Sequence, residues 1–182
     1  MHYSPMKSLI LTVLLAASSI AWGQDAASTV QQEARKCVNA LLTGNYEAFV
    51  AYNHPRVVTA SGGKDAMVTM MKHGTEELRL QGTTIEDAKI GQPDKPQKIG
   101  DWLVSLVPEH IRMKVTGGHL DQDSYLLGIS EDDGKHWTFT DVGPMTKESF
   151  AESFPELAGK ITLPPKKEPV MKKDTKDARK KK

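Results

Sequence analysis

Ser130-Glu131-Asp132-Asp133-Gly134-Lys135-His136-Trp137 fits the pattern Ser-x-Asp-x-Gly-x-x-Trp, which occurs once in the chain and decides how its second half is read. Serine and aspartate side chains close a tight turn by accepting hydrogen bonds from nearby backbone N–H groups, and glycine takes a positive φ at no steric cost. The stretch therefore marks a β-hairpin, with Trp137 placed to pack the returning strand. On either side the chain reads as extended, Ser124–Ser130 leading in and Trp137–Val142 leading out. Further back, Thr84–Ile90, Ile99–Val107 and Ile111–Val115 read as strands, separated by Gln92-Pro93-Asp94-Lys95-Pro96, Pro108-Glu109-His110 and Gly117-Gly118. Connections this short favour antiparallel neighbours, because a parallel crossover needs about a dozen residues or more. Ile111, Met113 and Val115 alternate with Arg112, Lys114 and Thr116, which gives the sheet one dry and one wet face.

The first half has helical spacing instead. Val30, Ala34, Cys37, Val38 and Leu41 lie along one stripe of a helix from Ser28 to Thr43, and Gly44 offers its stop. Asn45 can cap a short helix over Tyr46–Tyr52, which His54-Pro55 ends. Arg56–Thr59 then reads as a short strand or extended link. Gly62-Gly63 precedes a third helix from Lys64 to about Leu80, and Glu148–Leu157 reads as a terminal helix. The expected class is α+β, three N-terminal helices packed in a curved, mostly antiparallel sheet.

This order of elements resembles the nuclear transport factor 2-like superfamily, a cystatin-like cone, over Thr29 to Val142. The resemblance rests also on Gly44-Asn45-Tyr46-Glu47-Ala48-Phe49-Val50 at the helix-helix corner, on His54-Pro55-Arg56-Val57-Val58 and on Gly62-Gly63-Lys64. It implies a sheet wrapped around a long helix and an apolar pocket inside, with Tyr46, Phe49, Tyr52, His54, Trp102, Tyr125 and Trp137 as its candidate lining. Members include isomerases, dehydratases, polyketide cyclases, transport factors and many exported proteins of unassigned role, so fold alone does not choose an activity. Family isomerases move a proton with a carboxylate while a tyrosine or acid donates to the oxyanion. His54, Asp101 and Asp141 are the candidates for a base here and Tyr125 for a donor. Face-to-face pairing of sheets in this family implies a homodimer as one partner.

The two ends differ from the middle. Lys7 precedes the apolar run from Leu9 to Ala17, and Ala21 and Gly23 suit a cleavage site, so residues 1–23 read as a signal peptide and the mature chain starts near Gln24. The run is too short for a spanning helix and is broken by Ser18 and Ser19. No lipobox cysteine follows it, which places the protein in the periplasm or medium with no membrane span after cleavage. Residues 24–160 form the expected domain, with Cys37 as the lone cysteine, so its core must rest on packing and not on an internal disulfide. Residues 161–182 read as a disordered Lys-rich tail: from Lys166 onward nine basic residues face three acidic ones, a net +6. Leaving out Lys7, the remainder has fourteen basic against twenty acidic residues, a net −6. Such a tail suits an anionic envelope polymer, while the lack of interleaved aromatics removes the stacking expected of a single-strand nucleic-acid binder.

Repeats of the Ser-x-Asp-x-Gly-x-x-Trp hairpin occur in sialidase propellers, but the strands counted here are far too few for four blades. Asp121, Asp123, Asp132 and Asp133 lack the spacing of a calcium loop, and no histidine has a partner at metal-ligand spacing. No nucleophile elbow, P-loop or dinucleotide fingerprint is present, so no cofactor is expected. The expectation is an exported, non-catalytic domain binding a small apolar molecule or a protein. The alternative is a cofactor-independent isomerase, dehydratase or cyclase using a pocket His or Asp.

Overall fold

A computed structural model describes residues 18–174. The chain folds into four N-terminal helices, α1 (Ser18–Leu42), α2 (Tyr46–Ala51), α3 (Pro55–Ala60) and α4 (Lys64–Leu80), and five strands: β1 (Thr84–Ile90), β2 (Gln97–Ile99), β3 (Trp102–Val115), β4 (Gly118–Ser130) and β5 (Thr138–Asp141). Helix α5 (Lys147–Ser153) and strand β6 (Val170–Lys173) follow. Of the expected signal segment 1–23, all but 18–23 lies outside the described residues, as does the end of the tail at 175–182.

The helices depart from the expected set in number and placement. Helix α1 is already formed at Ser18, the first described residue and ten before Ser28, and it runs through the Ala21–Ala27 stretch, where Gly23 is tolerated. Arg56–Thr59 lies in α3 and not in a strand. Val57, Val58 and Thr59 favour β structure one by one, but Pro55 at the first helical position has its φ preset, and the ring Nδ1 of His54 accepts from Arg56 N at 3.3 Å as the cap. The extended pairing falls just before it, where His54 N donates to Phe139 O and Phe139 N to Tyr52 O. Helix α5 opens on a reciprocal Thr146–Ser149 cap and stops at Ser153, short of Leu157, because Phe154 precedes Pro155 and leaves the helical region.

The sheet runs β1-β3-β4-β5, with β2 also on β3 and β6 also on β4, and every named strand pair is antiparallel. Pro108-Glu109-His110, expected to separate two strands, lies inside the 14-residue β3. Pro108 O accepts from Gly91 N, so the missing N–H of Pro108 faces the side where β1 has just ended, and the register with β4 continues through Pro108 opposite Tyr125. The tail segment Val170–Lys173, expected to be disordered, pairs with Gly118–Asp121 of β4.

Both faces of the central strands are covered. On one, Val30, Ala34, Cys37 and Val38 of α1 pack on Val107, Leu126, Trp137 and Phe139. Gly128 makes this possible, since a Cβ there would lie 3.0 Å from Val30 Cγ2 and 3.3 Å from the rings of Trp137 and Phe139. On the other, Val104, Leu106, Leu127 and Ile129 meet Phe150, Phe154 and Leu157. Each buried phenylalanine contributes on the order of 3–5 kcal/mol when judged by truncation to alanine.

Candidate functional site

The hairpin from Ser130 to Trp137 is a closed hydrogen-bonded unit. Ser130 Oγ accepts from Gly134 N at 2.8 Å, and Asp132 Oδ1 accepts from His136 N at 2.9 Å. Trp137 Nε1 donates to Gly134 O at 3.1 Å, and the indole is buried on the α1 face. Asp133 and Gly134 both take positive φ, 58° and 90°. The His136 backbone N–H and ring hold the Asp132 carboxyl well below the usual carboxylate range. Ser130 and Asp132 are thus spent on the turn itself, while Asp133 reaches outward to Lys98 Nζ at 2.6 Å.

The expected pocket residues do not share one pocket. Phe49, Tyr52 and Trp137 belong to the α1 side, where Tyr52 packs against the cluster that holds Trp137 and Cys37, whereas Tyr46 packs with Phe49 on Val50, Met67 and Val68, and its Oη bonds Thr75 Oγ1 at 2.7 Å and ties α2 to α4. His54, Trp102 and Tyr125 belong to the opposite side, where the His54 ring meets Trp102 and Phe154 edge-on. His54 is buried, its Nε2 has no hydrogen-bond partner among the described residues, and burial pushes its pKa down, so the ring is neutral at pH 7. Glu131 of the hairpin is 3.8 Å away. Asp101 is exposed in the β2–β3 turn. Asp141 is also exposed and accepts from Ser124 Oγ at 2.5 Å and from Gly143 N at 2.9 Å.

A residue that the turn reading of Pro108-Glu109-His110 hid is the most perturbed carboxylate here. Glu109 is 6% exposed, and burial, followed by the nearby charge of Asp141, raises its pKa to about 7. Among the described residues no group donates a hydrogen bond to it. Alternation along β3 puts Glu109 with Leu103 and Val107 on the α1 face, and the Cys37 thiol, pushed up to about 12 mainly by burial, also feels its charge. A carboxylate flanked by a proline in mid-strand was the available signal, but it required knowing that the strand continued.

A cavity of about 250 Å³ opens beside this point. Lys89, Pro108, His110, Asp123 and Tyr125 alternate away from α1 and supply its walls, Glu109 and Ser124 border it, and Lys167 from the C-terminal segment closes one side. Pro108 and the Tyr125 ring make its surface apolar, while Lys167 Nζ and His110 Nδ1 both bond Asp123, at 3.0 and 2.8 Å. Among the described residues no three His, Cys, Asp or Glu side chains gather so as to hold a metal ion, and no helix is long and apolar enough to cross a membrane. Comparison with protein-family models, with curated proteins and with solved structures finds no match to this chain.

Proposed function

We propose that the protein is an exported, non-catalytic binding domain on a nuclear transport factor 2-like cone, and that it takes a small, mostly apolar molecule in the cavity beside Tyr125. The cavity itself carries this reading: about 250 Å³ bounded by Pro108, Tyr125 and a charged rim admits on the order of ten non-hydrogen atoms, less than a drug-sized ligand. The long α1 across an antiparallel sheet and the export signal support the rest. Ligand-observed fragment screening on the full chain, with amide shifts followed at His110 and Tyr125, tests it. Bound fragments are expected to move those amides and to weaken about tenfold in Tyr125→Ala. Fragments that bind equally well in the variant, or a library from which none moves these amides, would remove the reading.

The enzyme alternative is favoured by one observation, a buried carboxylate with a pKa near neutrality, which is what a general base requires. That base would be Glu109 and not His54, Asp101 or Asp141. Its mark is an isomerisation or dehydration whose acid limb near pH 7 vanishes in Glu109→Gln while fragment binding persists.

A further inference from the structure

The basic C-terminal segment meets the acidic sheet of its own chain. Strand β6 pairs with the β4 edge from Gly118↔Lys173 to Asp121↔Val170, and Asp174 N donates to Gly117 O. Lys172 Nζ reaches Asp121 at 2.5 Å, Lys167 Nζ reaches Asp123 at 3.0 Å, and Gln122 Nε2 donates to Lys167 O at 3.0 Å. The two sides of this contact are unequal. Asp121, 6% exposed, keeps Arg112 Nε at 2.7 Å, and Asp123 keeps His110, so both carboxylates stay organised by β3 without the segment. On the other side every residue of β6 is exposed, Val170 and Met171 included. No apolar burial anchors the strand, and the exposed Lys167–Asp123 pair contributes only about 0–1 kcal/mol.

We propose that residues 166–174 are an electrostatic latch which closed phosphate arrays release, uncovering the β4 edge and the Lys167 side of the cavity. Lys167 and Lys172 cannot serve the sheet and a polyanion together. From Lys166 onward the chain holds nine basic residues against three acidic ones, so a polyphosphate gains far more cationic partners than Asp121 and Asp123 offer. The contact rests on the strand pairing and these ion pairs, and loses to a dense anion. The inference rests on the strap contacts and stands whether or not the cavity holds a ligand.

Gly118 supplies a released reference with no change of charge. A Cβ at Gly118 would lie 2.2 Å from the backbone oxygen of Lys172, a clash that neither backbone can relieve while β6 is docked. The test is hydrogen exchange on the full chain, read on peptides covering 117–124 and 170–174. It compares Gly118→Ala with wild type in buffer, in inorganic polyphosphate, with phosphatidylglycerol vesicles, and in sodium chloride of matched ionic strength. The variant is expected to exchange about tenfold faster at 118–121, and polyphosphate or vesicles should bring wild type to the same level while matched salt does not. Release by the soluble polymer alone assigns the trigger to free phosphate chains, and release by the vesicles alone assigns it to a lipid surface. Unchanged exchange with both, release by matched salt, or a Gly118→Ala variant as protected as wild type would each overturn the latch.

Discussion

Replacing Glu109 by glutamine tests the account of the interior directly, because glutamine keeps the shape and removes the ionisation. Burial raises the Glu109 pKa from 4.5 to about 7, so the native state holds this proton more tightly than the unfolded chain. The sign follows from linkage: below pH 4.5 both states are protonated and the group costs nothing, and stability is lost as pH rises through the window from 4.5 to 7. At 1.36 kcal/mol per pKa unit, the wild-type penalty is about 1 kcal/mol at pH 5 and about 3 kcal/mol at pH 8. Glu109→Gln puts a neutral amide there whose cost is the same at both values, so the informative quantity is a difference of differences. Urea unfolding of both proteins at pH 5 and pH 8 should show the variant gaining about 2–3 kcal/mol relative to wild type over that interval. A relative stability that stays flat from pH 5 to pH 8 refutes the raised pKa of a buried carboxylate at this position.

Three further outcomes follow from named contacts. Cys37, 2% exposed and pushed up to about 12, should react with iodoacetamide at pH 8 at least about a hundredfold more slowly in the native protein than in urea, as mass spectrometry would measure. Gly128→Ala places a methyl 3.0 Å from Val30 Cγ2 and should cost about 1–3 kcal/mol with an unchanged urea m-value; an unaltered midpoint would mean that α1 is not seated there. His54 is buried and neutral with a lowered pKa, so its unfolded form takes up the proton first and stability should fall as pH drops below about 6.5. His54→Gln should flatten that part of the pH–stability curve, and an identical slope in the variant would count against it.

The elements that could be read from sequence are those bounded by their own punctuation. Helix α4 and strand β1 fall on the expected residues because Gly63 and Gly82, at φ 96° and 75°, stop the chain where local geometry alone demands it. The Ser130–Trp137 turn was legible for the same reason, the bonds of Ser130, Asp132 and Trp137 that close it being made within eight residues. The misreadings occur where a distant neighbour decides. Val57, Val58 and Thr59 would extend if left alone, yet His54 and Pro55 start a helix through them. Val170–Lys173 leaves both of its apolar side chains exposed and becomes a strand only because β4 offers an edge at Gly118, where no side chain blocks it. Pro108 reads as a break until β1 is known to end at Ile90, after which its missing N–H costs the ladder nothing. That last misreading also concealed the candidate site. A carboxylate in a turn is solvated and ordinary, whereas the same Glu109 one residue along an unbroken β3 must face α1, and its altered acidity follows from the strand's continuity more than from any motif around it.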